Sequence, residues 1–352
     1  MPLSPFDHPF LSGIFGDDEI ASRLSADADL NGILAFEGAL ARAQAGLGII
    51  PSQAADRIST VCDSFVPDMP KLKAAVASDA VVVPELVRQL RDALGGDAAS
   101  HIHFGATSQD AIDTSLMLRL KAIVPVFEER LSRIIALLEG LDKRFGAVPL
   151  MGYTRMQAAI PIRVSDRLKS WRAPLERCVA SFSSFEFPVQ LGGAAGTLDK
   201  LGQNGPAVRA ALARELDLVD VEQWHSQRDP IVAIGQQLSL VTGAVGKMGQ
   251  DIALMAQDGR EITMVGGGKS SAMAHKQNPV AAETLVALAR YNAMQVSGLH
   301  HSLVHEQERS GAAWTLEWMI LPQIVLAAGA SLRLGEEVLK MVRRIGAADS
   351  VG

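Results

Sequence analysis

IVAIGQQLSLVTGAVGKMGQDIALM, residues 231 to 255, decides the fold class. Its apolar residues Ile234, Leu238, Val241, Val245, Met248, Ile252 and Met255 recur in alternating four- and three-residue steps. On a helix that spacing draws one continuous stripe, whereas on a strand it scatters the same residues over both faces. A second run has the same texture: Ile112, Leu116, Leu120, Ile123, Phe127, Leu131, Ile134, Leu138 and Leu141. Pro125 falls inside it and is expected to bend that helix rather than end it. A third run starts at Pro279 and continues through Leu285, Leu288, Val296, Leu299 and Leu303. Three helices of this length predict an all-α, long-helix bundle. Apolar residues on more than one face predict association into an oligomer.

Upstream the texture is shorter. Ile33, Leu34, Phe36 and Leu40 mark one helical face that stops near Gly46–Pro51, and Lys71 to Leu94 reads as a short helical pair around Pro84. No stretch alternates long enough to anchor a large sheet. The expected organisation is an N-terminal helical domain over 1–105, a central bundle over 106–341 and a tail over 342–352.

Of 352 residues, 48% are hydrophobic and only 5% aromatic, a balance that suits close helix packing. The 33 basic and 39 acidic residues leave a net charge of −6, so no nucleic-acid footprint is expected. A positive field for an anionic substrate must then be local. Cys62 and Cys178, far apart, point to a reducing compartment. MPLSPFDHPF has no basic segment followed by an apolar one, and no uninterrupted apolar stretch reaches about 18 residues. A cytoplasmic protein with no membrane partner is expected.

Three segments gather polar groups between the apolar runs. In SHIHFGATSQD (100–110), Thr107 and Asp110 have the spacing of a capping box at the head of the first long helix. His101 and His103 are expected on one side of an extended segment. In GYTRMQAAIP (152–161), Thr154, Arg155 and Gln157 supply donors, and an arginine suits a planar carboxylate. The alternative for this segment is a surface loop. In GGGKSSAMAHKQNPV (266–280), a glycine run is followed by hydroxyls, a Lys and a helix start, with Asn278 expected as N-cap and Pro279 first in the helix. Such a loop handles negative charge. It is not a phosphate loop: the required first glycine position is Thr263, and a helical stretch rather than a strand precedes it. HSQRD (225–229) and HHSLVHEQE (300–308) contain ligand types, with His301 and His305 spaced for one helical face. Neither matches a zinc pattern such as H-E-x-x-H, and no metal is expected.

At these residues the chain resembles the fumarase/aspartase superfamily. That family's signature, G-S-S-x-M-P-x-K-x-N-P, is met by SSAMAHKQNP at 270–279, with Lys269 in place of the glycine and Ala274 in place of the first proline. HFGATSQD and GYTRMQAAIP match in the family's order, and the agreement runs over nearly the whole chain. FEGALARAQAGLGIIP (36–51), WHSQRDPI (224–231) and HEQERSGAAWTLEW (305–318) are similar to the branch that closes carboxymuconates into lactones. Arg155 stands where many lyases of the family carry His.

The resemblance implies a bundle of the fumarase/aspartase type with its C-terminal domain largely absent. It implies a homotetramer with active sites shared between subunits, and a di- or tricarboxylate substrate. Ser270 would be the acid/base residue, with Lys276 stabilising charge beside it. His103, Thr107, Ser108 and Asn278 would hold carboxylates, joined by Thr154, Arg155 and Gln157. Ser271, Glu283, Gln227 and Arg228 would support them. No cofactor is expected, because intramolecular addition is redox-neutral. The alternatives are an adenylosuccinate-lyase-like elimination enzyme and a catalytically silent structural relative.

Overall fold

The computed structural model describes residues 4–257, 259–269 and 277–346. Short helices α1 (Ser12–Phe15) and α2 (Asp18–Arg23) lead into α3 (Ala26–Gly46), whose Ile33, Leu34, Phe36 and Leu40 are buried. α4 (Ser52–Ser64), α5 (Met69–Asp79) and α6 (Val83–Leu94) complete this part. Pro84 opens α6, where its missing N–H costs nothing, so the pair around it forms as expected.

The bundle follows. α7 (Ser108–Phe145) is not ended by Pro125, which lies inside it, and α8 (Val164–Phe182), α9 (Gly205–Leu216), α10 (Asp229–Ala256), α11 (Val280–His301) and α12 (Gly311–Lys340) come after it. All seven residues of the α10 stripe are buried. α10 packs against α11, α12 and α8, and α12 also packs against α7. At Gly249 an added Cβ would lie 2.7 Å from the Ala282 carbonyl oxygen, so the absent side chain is what lets α10 and α11 approach. The third run ends one turn earlier than its periodicity suggests: Leu303 lies beyond α11 and is 37% exposed. His301 and His305 therefore do not share a helix.

α12 is long and apolar enough, by length and composition, to cross a membrane, but 61% of that apolar window is buried inside the protein. A helix apolar on all sides at the centre of a bundle meets the same test. Both cysteines are free and buried, and burial pushes the Cys62 thiol up to about 12.

The strands are few and short. β1 (Pro149–Thr154) pairs antiparallel with β2 (Gln157–Arg163), β3 (Ile262–Met264) with β6 (Val342–Ile345), and β4 (Gly268–Lys269) with β5 (Gln277–Asn278). The first pair is a hairpin at the C-terminal end of α7, where the sequence left a surface loop as the alternative to a donor-bearing segment.

α7 and α12 run parallel. Asp113 meets Trp314, Arg130 meets Gly329, and Arg133 meets Glu336, in step along both helices. With 38 residues in α7 and 30 in α12, the bundle ends lie about 45–55 Å apart.

Candidate active site

The N-terminus of α7 organises one end of the bundle. Thr107 is its N-cap, with the expected capping box: the Asp110 carboxylate accepts from the Thr107 N–H at 2.9 Å. Asp110 does more than cap. It is fully buried and also accepts from Gly192 N–H (2.9 Å), Gly193 N–H (3.0 Å) and His225 Nε2 (2.7 Å). One charged carboxylate thus ties three distant segments together with charge-assisted bonds, each about twice as strong as a neutral one.

Arg309 ties the same segments from the other side. Its Nε donates to Gln109 Oε1 (2.9 Å), Nη1 to Thr107 Oγ1 (3.3 Å), and Nη2 to the Ala194 carbonyl (3.2 Å). Ser310, its neighbour, caps α12 through the Ala313 N–H, so the helix start fixes the arginine. Ser108 lies half-buried in the first turn of α7.

His103 joins this end by an unusual route. The segment is a turn, not the extended stretch expected from sequence, and His101 folds back within 3.4 Å of Asp97. His103 has φ +59, a left-handed conformation that non-glycine residues rarely take. Its Nδ1 is 2.6 Å from Oε1 of Glu37, a wholly buried residue of α3. Gln44 of α3 holds the neighbouring Phe104 carbonyl at 2.7 Å. Gly105 has φ +77, and a Cβ there would strike Leu201 at 2.8 Å, so the turn requires glycine.

Burial alone pushes the His103 imidazole down, but the charge and hydrogen bond of Glu37 outweigh it and raise the proton affinity. A raised imidazole value means that the pair stabilises the fold most at acidic pH. That contribution fades as pH rises through the folded-state value. In an imidazole NMR titration, His103 is expected to deprotonate above the ordinary value of 6.5. Glu37→Gln should move its midpoint down. A wild-type midpoint below 6.5 would contradict the pairing.

Beneath this layer sits a buried ionic cluster. Arg228 is 1% exposed and donates to both Asp113 oxygens (2.7 and 3.0 Å) and both Glu317 oxygens (2.8 and 2.7 Å). Its guanidinium lies 4.6 Å over the Trp224 ring. Burial alone would lower its proton affinity, but the two carboxylates raise it further above the ordinary arginine value. Trp314 Nε1 and Gln109 Nε2 also donate to Asp113. Arg228 is therefore consumed by protein carboxylates and supports the site from below. Gln227 is exposed.

The described base of the glycine-rich loop lies at the other end. Ser270, Ser271 and Lys276 are outside the described residues. Its two arms are held together at the base by β4 and β5, with Gly268 opposite Asn278. Gly267 has φ +121 and approaches the Asn278 carbonyl too closely for a Cβ, which would lie 2.8 Å away. The expected helix start shifts by one residue. Pro279 is the N-cap, and its carbonyl accepts from the Glu283 N–H at 3.0 Å, because strand pairing holds Asn278 outside the helix. Glu283 is exposed on the first turn. A cavity of ≈ 810 Å³ opens at the loop base, lined by Gly266 to Gly268, Asn278, Pro279 and Glu337 among others.

The hairpin arm projects from the loop's end of the bundle. Thr154, Arg155 and Gln157 are exposed around its tip, and Arg155 and Met156 both have positive φ (48 and 66). Among the described residues, the first motif lies at one bundle end, and the loop base and hairpin at the other.

Residues such as Glu37, Asp113 and Glu317 signal themselves as charges on otherwise apolar helical faces. Asp110 with His225, and Arg309 with Thr107, are separated by 115 and 202 positions, and no local pattern marks them.

The family model described as Lyase matches residues 8–298. A 3-carboxy-cis,cis-muconate cycloisomerase of Pseudomonas aeruginosa is 38% identical over 86% of this chain and 68% of its own length. One from Bradyrhizobium diazoefficiens is 35% identical over 94% of this chain and 75% of its own. The solved structure of the 3-carboxy-cis,cis-muconate lactonizing enzyme from Pseudomonas putida superposes with a TM-score of 0.88 at 32% identity. That match covers 95% of this chain and 77% of the other.

Proposed function

Because this chain belongs to the lyase family, within the fumarase/aspartase superfamily, we propose that it is a cycloisomerase of 3-carboxy-cis,cis-muconate, acting in the breakdown of aromatic compounds. The observation that carries the reading is the donor cluster at the α7 N-terminus. Thr107, Ser108 and His103 converge on a helix start whose N–H groups and partial positive charge suit a carboxylate. In a chain of net charge −6, a positive field for an anionic substrate must be local, as at a helix start.

In the proposed reaction one substrate carboxylate oxygen attacks an alkene carbon, forming the lactone C–O bond. The alkene electron pair moves toward the neighbouring carboxylate, giving an enolate-like dianion. Ser270 delivers a proton to the carbon, and nothing leaves the substrate. A serine oxyanion is otherwise too basic to persist at neutral pH, so Lys276 and the start of α11 stabilise it. His103, made more basic by Glu37, holds a carboxylate in its charged form.

The motifs lie at opposite ends of a bundle about 45–55 Å long, which supports a homotetramer in which one subunit's α7 start meets the loop and hairpin of others. In that assembly Arg155 and Gln157 bring donors to the substrate from a neighbour.

Adding the protein to 3-carboxymuconate, with no metal or nucleotide, is expected to bleach the diene absorbance. Loss of adenylosuccinate instead would favour the elimination reading. Inactivity on both would make the chain a silent relative. A monomer in solution under the same conditions would overturn the shared site.

A further inference from the structure

We propose that Arg309 is a positioning residue: it holds the Thr107 hydroxyl so that its proton points at a substrate carboxylate. The inference rests on the carboxylate-binding role proposed above for the α7 start.

A threonine hydroxyl has one proton to donate and two lone pairs to accept with. Arg309 has protons only, and its Nη1 approaches Thr107 Oγ1 at 3.3 Å, so Thr107 must be the acceptor in that pair. The capping box turns the same oxygen toward the start of the helix. What remains is the hydroxyl proton, and among the described residues it has no acceptor. A half-buried O–H with its acceptor side occupied is a donor awaiting an anion, and carboxylates are what this end of the bundle is proposed to receive.

The arginine is itself immobilised. Nε is held by Gln109, which donates in turn to Asp113 and the His225 carbonyl. Nη2 is held by the Gly193 and Ala194 carbonyls at 3.4 and 3.2 Å. Four acceptors on two segments, 107–109 and 193–194, fix the guanidinium plane, so the direction of Nη1 toward Thr107 is set before any ligand arrives. A lysine there offers a point charge on a flexible stem and cannot reproduce this fork.

A double-mutant cycle tests it. Thr107→Val should lower kcat/KM for 3-carboxymuconate by roughly tenfold to a hundredfold, mainly through KM, the range for one hydrogen bond to a charged group. Arg309→Met should produce a comparable loss in the wild-type background and little further loss in Thr107→Val. Arg309→Lys should recover only part of it. Losses that multiply in the double variant, or Arg309→Met unfolding the protein while Arg309→Lys keeps full KM, would overturn the proposal. The same cycle is read by calorimetry on tricarballylate, a saturated tricarboxylate that cannot react. Wild-type protein that binds tricarballylate but leaves the muconate untouched overturns the reaction, and the binding cycle still decides the pairing. Wild-type protein that binds neither overturns both.

Discussion

Replacing Ser270 by Ala is expected to reduce turnover of 3-carboxymuconate by about 10²- to 10⁴-fold, the usual contribution of a positioned proton donor. The loss should fall on kcat, because the proton is delivered after the carboxylates are already held at the α7 start. Unfolding and assembly should be unchanged, since backbone pairing of Gly268 with Asn278 closes the loop base. Ser271→Ala is the control and should retain most activity. Near-normal turnover in Ser270→Ala, with a collapse in Ser271→Ala, would transfer the role to the second hydroxyl.

The largest effect on stability is expected at Arg228. Arg228→Met leaves Asp113 and Glu317 buried, 1% exposed each, with the cation between them gone. Breaking a buried ion pair from one side costs about 3–5 kcal/mol, because the desolvated carboxylates lose their arginine cation. Asp113 keeps neutral donors such as Trp314 and Gln109, and Glu317 keeps His305 beside it at 3.7 Å. One of the two carboxylates should then take up a proton, its folded-state value rising above the unfolded one. Stability of the variant should therefore be best in mild acid and fall as pH rises through that raised value. Urea unfolding at pH 5 and pH 8 checks both parts. A loss under about 1 kcal/mol, or one equal at the two pH values, would mean that water reaches the cluster. Because Gln109 links Asp113 to Arg309, some loss of substrate binding should accompany the loss of stability.

The long helices were legible because each buries one stripe, and a stripe leaves a period. α12 was not, because apolar residues on every side erase the period that a half-buried helix shows. The hairpin was missed for the opposite reason. Its strands are exposed on both faces apart from Leu150 and a few partly covered neighbours, so no alternation marks them. In the candidate site, the segment at 103–110 was legible from its capping chemistry. Glu37, which raises His103, and Arg309, which grips Thr107, come from segments that were similar to the family but had no assigned chemistry. Their part in the site depends on which chain segments meet, and sequence distance hides that. The shift of the α11 start from Asn278 to Pro279 has the same origin: Asn278 makes a good cap in isolation, but Gly268 claims its backbone first.

The tip of the hairpin turns on Arg155 and Met156, both left-handed, where Asn-Gly would sit without strain. Each such residue costs about 1–2 kcal/mol relative to a relaxed backbone. A two-residue turn with long side chains at both corners gives up comfort for reach. In return the arm is already shaped: little backbone freedom would remain to be lost in the proposed docking, and a guanidinium and a thioether leave adjacent corners of the turn. At these two positions chain conformation favours small residues, whereas the neighbouring-subunit contact proposed above would favour the long pair the arm carries.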